Sequence, residues 1–223
     1  MDPSNISEAL IKVKTKISSA AHNCDRSVEQ ITLIAVSKQQ QEDRVEASLA
    51  AGQRVFGENR VQEAEKRWSN RRYHYPDLSL HLIGHLQSNK ASDAVRLFDV
   101  IHTVDRPKIA MAIAKEAAVQ NKLIQCFIQV NTGDEPQKSG IAPSDVASFI
   151  DFCKKEAGLT ILGLMCIPPI DEEAALHFGF LNTLASRNNL TGLSMGMSSD
   201  YEEAITFGAT HIRVGSALFG SRD

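Results

Sequence analysis

The feature that most constrains this chain is an alternation of element types. Short apolar or β-branched runs recur eight times: ITLIAVS (31–37), RVFG (54–57), LHLIG (80–84), DVIHT (99–103), LIQCFIQV (123–130), LTILGLM (159–165), TGLSM (191–195) and THIRVG (210–215). Between them lie segments such as EDRVEASLAAG, RPKIAMAIAKEAAVQ and EEAALHFGFLNTLASR, whose apolar positions recur with helical spacing. Strand–helix alternation implies parallel strands. Eight units in 223 residues predict an α/β fold, a single (β/α)8 TIM barrel, with an extra N-terminal helix within residues 1–25 leading into it. Asn5 and Glu8 have the spacing of a capping pair that would start this helix. An open doubly wound sheet is the alternative, but no G-x-G-x-x-G follows the first strand. One domain spanning 1–223 is expected.

Composition narrows the function. Lys and Arg number 24 against 27 Asp and Glu, a mild acidity that offers nothing to nucleic acid. No apolar run approaches the ~20 residues that cross a bilayer. The four cysteines (Cys24, Cys126, Cys153 and Cys166) form no C-x-x-C pair, which reads as reduced thiols in a cytoplasmic protein.

In such a barrel the chemistry sits where the strands end. Side chains alternate along THIRVG, so Ile212 and Val214 share one face and His211, Arg213 and Gly215 the other. If the apolar face meets the helices, Arg213 points into the barrel. It then needs either a structural carboxylate or a ligand. The loops after strands seven and eight, GMSSD and GSALFG, carry small residues and hydroxyls ahead of helical segments, a pattern suited to phosphate or to plain helix capping. Ser199 and Glu202 match a capping box, which leaves Ser198 as the freer hydroxyl. Lys38 follows strand one. It shares a face with Ile34 and Val36, but both faces of that strand are apolar, so the pattern does not say which points inward. It is a solvated charge or a pocket amine able to form a Schiff base. His74, His81, His85 and His102 show no zinc-ligand spacing and read as structural. The KSG of residues 138–140 lies in the longest loop, a lid or a plain surface loop.

Taken together, LIAVSK (33–38), FGENRVQEA (56–64), HLIGHLQSNK (81–90), IHTVD (101–105), KSGI (138–141), GLMCIPP (163–169), LSMGMSSDYEEAI (193–205) and HIRVGSALFG (211–220) resemble the pyridoxal 5′-phosphate homeostasis protein family, whose barrel is alanine racemase N-terminal domain-like. The resemblance runs nearly end to end. It implies that pyridoxal 5′-phosphate (PLP) is the cofactor and that Lys38 carries it as a Schiff base. It implies a phosphate site at Ser198, Gly215 and Ser216, with Ser199 also among the cofactor-binding residues, and Arg213 beside the pyridine nitrogen. Asn59 matches the family's pocket asparagine, and Lys138 is a candidate in cofactor exchange.

Three functions compete: a non-catalytic PLP carrier in vitamin B6 homeostasis, a small PLP-dependent racemase, and a Schiff-base aldolase. A cationic Arg213 disfavours a protonated ring nitrogen and weakens the electron sink. Two-base racemization also needs a second acid–base group, which a further domain helps supply in the racemase, and the barrel takes up nearly all of this chain. The expectation is therefore a carrier that buffers PLP or hands it to apoenzymes, as a monomer or weak dimer.

Overall fold

Each of the eight runs forms a strand: β1 (Thr32–Val36), β2 (Val55–Glu58), β3 (Ser79–Leu82), β4 (Val100–Val104), β5 (Gln125–Gln129), β6 (Thr160–Met165), β7 (Gly192–Met197) and β8 (His211–Val214). The computed structural model describes residues 2–220. All eight strands are parallel, neighbours follow chain order, and β8 pairs with β1 to close the barrel. Parallel neighbours need long crossovers, and helices supply them: α2 (Glu42–Ala50), α3 (Val61–His74), α4 (Ala91–Leu97), α5 (Pro107–Val119), α6 (Val146–Asp151), α7 (Ala174–Arg187) and α8 (Tyr201–Thr206). A short α9 (Ser216–Phe219) follows β8, and α1 (Ile6–His22) precedes the barrel.

Helix α1 buries Ile6, Leu10, Val13, Ile17, Ala20 and Ala21, one stripe at three- and four-residue spacing. That stripe packs against α8 and α9, beside the seam where β8 meets β1. The expected Asn5–Glu8 capping pair does not form. Pro3–Asn5 is a 3-10 turn capped by Asp2, whose Oδ1 accepts from Ser4 N at 2.8 Å. Asn5 therefore enters α1 already helical, at φ −91° and ψ −4°, and its side chain makes no capping bond.

The β1–β8 register settles which face of β1 points inward. Ile34 lies opposite Arg213 and Thr32 opposite His211. His211 touches the rings of His81, His102 and Phe127 across the barrel, so this face is the interior. Val36 continues it. Leu33 and Ala35 belong to the larger core between strands and helices, with Trp68, Phe56 and Phe98. The interior is unusually polar for this fold, whose centre is ordinarily filled by branched apolar side chains. His81, His102, Ser194 and Arg213 share it with Val100, Phe127 and Met165.

Candidate functional site

Arg213 is 5% exposed inside the barrel. No carboxylate pairs with it among the described residues. Its Nη1 donates to Ser194 Oγ at 2.8 Å and its Nη2 to the Cys166 carbonyl at 2.9 Å. Burial pulls its pKa below the usual arginine value, while Cys166 and Asp200 act in the opposite sense. A guanidinium carries five N–H donors, so these two bonds leave others for a ligand.

Beyond Arg213, β8 ends at Val214 and Gly215 follows as the N-cap of α9. The backbone N–H groups of Gly215 and Ala217 converge on Ser198 Oγ, at 3.0 and 3.3 Å. The loops after β7 and β8 therefore meet at one hydroxyl. An oxygen that already accepts from two amides has its own proton to give, and an anionic oxygen is a matching acceptor. A Cβ added at Gly215 would stand 3.5 Å from Val36 Cβ, so the end of β8 packs against the inward face of β1.

The expected Ser199–Glu202 capping box is absent. Helix α8 begins at Tyr201 with Asp200 as its N-cap, which makes no side-chain capping bond. Asp200 Oδ1 turns back to accept from Met197 N at 2.5 Å. Glu202 instead reaches Lys16 of α1 at 2.6 Å, and Ser199 is exposed with its hydroxyl 3.5 Å from Asp200 Oδ2. Ser198 is engaged at the mouth and Ser199 stands outside that cluster.

Lys38 occupies the turn after β1, half-buried, two residues beyond the inward Val36. This turn is held from below. Ser37 N donates to the Gly57 carbonyl at 3.1 Å and Gln40 N to the Ser37 carbonyl at 3.1 Å. Arg67 of α3 donates to the carbonyls of both Ser37 and Gln40. Asn59 follows β2. Its backbone lies so close to Gly84 that a Cβ there would fall 2.2 Å from the Asn59 carbonyl oxygen, which locks the β2 and β3 loops together. Ser216 is exposed at the start of α9.

Lys138 pairs with Glu135 at 2.5 Å within the loop after β5. That loop is tied at several points. Asn131 Nδ2 donates to the Glu135 carbonyl at 2.8 Å, and Gln129 Nε2 reaches the Ser139 carbonyl at 3.1 Å. The structure brings together Arg213, Ser198, Gly215 and the β1 face leading to Lys38. Among the described residues no bond links Lys138 to that group.

Two residues that sequence reasoning passed over support the site. Ser194 on β7 anchors Arg213, and Glu58, fully buried at the end of β2, accepts from Ser37 Oγ at 2.8 Å and Trp68 Nε1 at 3.0 Å. A glutamate inside a strand, followed by Arg67 and Trp68 on the next helix, is a signal that could have flagged the second.

The family model described as the alanine racemase N-terminal domain matches residues 16–223. Curated relatives named pyridoxal phosphate homeostasis protein include one from Pseudomonas aeruginosa, 40% identical over 99% of this chain and 97% of its own length. Another, from Vibrio alginolyticus, is 38% identical over 99% of both chains. Among solved structures, PipY of Synechococcus elongatus with PLP bound superposes with a TM-score of 0.84 at 36% identity, covering 96% of this chain and all of that one. An alanine racemase from Bartonella henselae with covalently bound pyridoxal phosphate gives a TM-score of 0.75 at 14% identity; this chain spans 60% of it, a likeness of fold alone.

Proposed function

Because the chain belongs to the pyridoxal phosphate homeostasis protein family, we propose that it binds PLP at the C-terminal mouth of its barrel and buffers or delivers the cofactor, without turnover of its own. The observation that carries this reading is the buried Arg213, held by neutral partners, adjoining a hydroxyl and two backbone amides at the end of β8.

The residues present fit the group. Lys38 is an amine at the mouth and would hold the cofactor aldehyde as a Schiff base. Ser198, Gly215 and Ser216 would hold the phosphate, with Ser199 at the rim. Arg213 would face the pyridine nitrogen and, as a cation that only donates, keep that nitrogen unprotonated. Asn59 would line the pocket from the β2 side. When bound, the cofactor supplies an aldehyde that condenses with amines and a ring that accepts electron density. Arg213 limits the second property and leaves the first intact, which suits holding and hand-over to an apoenzyme.

A small PLP-dependent racemase is the alternative. It draws on fold likeness, while the relatives that match over their whole length bear the homeostasis name. It also needs an acid–base group facing Lys38 across the cofactor. Tyr201, the tyrosine next to the β7–α8 loop, is buried in the hydrophobic core. Purified protein incubated with PLP is expected to turn yellow, and borohydride to fix the pyridoxyl group on Lys38 in peptide mass spectra. A colourless protein, or label on another lysine, would overturn the reading. Amino-acid racemization at ordinary enzymatic rates would replace carrier with enzyme.

A further inference from the structure

The barrel interior holds a chain of polar side chains. Arg213 Nη1 meets Ser194 Oγ at 2.8 Å, Ser194 Oγ meets His102 Nδ1 at 2.8 Å, His102 Nε2 meets His81 Nδ1 at 2.9 Å, and His81 Nε2 meets Ser79 Oγ at 3.1 Å. His81, His102, Ser194 and Arg213 are each at most 5% exposed. The chain runs from the start of β3, through β4 and β7, to the inward face of β8.

We propose that Ser194, His102, His81 and Ser79 form a one-directional hydrogen-bond chain that positions Arg213 from inside the barrel, with both imidazoles as their Nε2–H tautomers. The direction follows from its first member. A guanidinium only donates, so Ser194 Oγ accepts. The Ser194 proton must then go to His102 Nδ1, which makes that nitrogen an acceptor. A neutral imidazole has one N–H, so the His102 proton sits on Nε2 and points at His81 Nδ1. By the same step the His81 proton sits on Nε2 and points at Ser79 Oγ. The reverse direction would aim His102 Nδ1–H at Ser194 and leave the Ser194 proton without an acceptor among the described residues.

Neutrality of the rings follows from their surroundings. Burial, with His211 beside it, pushes His81 down to about 3. Burial and the neighbouring His81, His211 and Arg213 hold His102 well below its ordinary value. The chain therefore presents only an acceptor to Arg213. Together with the Cys166 carbonyl it sets the plane of the guanidinium before any ligand arrives, the preorganisation that a site for a flat heteroaromatic ring calls for. Ser194 and His102 are positioning residues, and their effect on the cofactor rests on the reading of Arg213 as its ring partner.

Long-range 1H–15N correlation spectra of histidine-labelled protein test the chain directly, with assignments from His81→Phe and His102→Phe. Both rings are expected as Nε2–H tautomers, with or without PLP; an Nδ1–H or doubly protonated His102 would overturn the proposal. The second measurement is PLP release from Ser194→Ala and Ser194→Thr. A hydrogen bond to a charged group contributes roughly 1.5–3 kcal/mol, so Ser194→Ala is expected to release PLP about tenfold faster or more, and Ser194→Thr at close to the parent rate. Parent-like release from Ser194→Ala would remove the positioning role. Should the parent protein bind no PLP, the cofactor reading fails by itself, and the tautomer spectra still decide the chain.

Discussion

Arg67 and Glu58 form an ion pair, 3.1 Å apart, beneath the turn that carries Lys38. Glu58 is fully buried and the Arg67 side chain is 12% exposed. Glu58 Oε1 also accepts from Ser37 and Trp68, and Arg67 reaches the carbonyls at both ends of the Ser37–Gln40 turn. Helix α3 and strand β2 thus hold the Lys38 backbone in place. Glu58→Ala would leave the buried Trp68 indole N–H without its acceptor and take the carboxylate from Ser37 Oγ and Arg67, while Arg67 keeps Glu42 and the two turn carbonyls. Leaving a buried donor unsatisfied is destabilising by about 1–3 kcal/mol, readable by denaturant titration. Schiff-base formation should slow in whatever protein remains folded. Glu63→Ala, which removes only the exposed pair with Arg60, should change stability by less than about 1 kcal/mol. Equal effects from the two variants would show that the turn does not depend on Glu58.

Lys38→Ala separates covalent from non-covalent binding. The variant should lose the visible absorption and the borohydride-fixed label together. It should still take up PLP weakly, because Arg213, Ser198 and the amides after β8 remain. Equilibrium dialysis would check this, and parent-like affinity would mean that the amine contributes nothing to retention.

The fold was legible because period is legible. Parallel strands buried on both faces read as unbroken apolar runs such as ITLIAVS, and helices betray themselves by spacing. The inward face of β8 could be read because Ile212 and Val214 separate cleanly from His211 and Arg213. That of β1 could not, since Ile34 and Leu33 are equally apolar and only the pairing with β8 distinguishes them. The Ser199–Glu202 spacing fitted a capping box, but local spacing does not reveal that Asp200 folds back onto Met197 or that α1 passes close enough for Lys16 to take Glu202. The interior chain joins residues 79, 81, 102, 194 and 213. Histidines that read separately as structural become one object only once the barrel closes.

Lys138 offers a test of cofactor exchange. It is clamped to Glu135 in a loop that Asn131 and Gln129 tie to the barrel. Lys138→Ala should preserve the Schiff base and change the PLP exchange rate. Glu135→Gln, which removes the clamp but keeps the lysine, should shift the rate as well. Stopped-flow transfer to a trap for free PLP would show it, and exchange unchanged in both variants would take the loop out of the process.

The three interior imidazoles predict a specific acid sensitivity. Burial pushes His81 to about 3 and, with Arg213 adding to it, His211 to about 4, while His102 lies well below its ordinary value. In the unfolded chain each would titrate near 6.5. Below that pH the unfolded state binds protons that the folded state refuses, so unfolding takes up protons and stability falls as pH falls. The stabilisation is complete above about pH 6.5 and declines toward pH 4, by up to about 1.4 kcal/mol per pH unit for each ring. Ordinary carboxylates titrate near 4 and below, so the interval from about pH 6.5 to 4.5 belongs mainly to histidine. Urea titrations across it should show a steep slope, and His211→Asn should reduce that slope by about a third. A stability that stays flat from pH 7 to pH 5 would mean that these rings accept protons in the folded protein, and the neutral interior chain would fall with it.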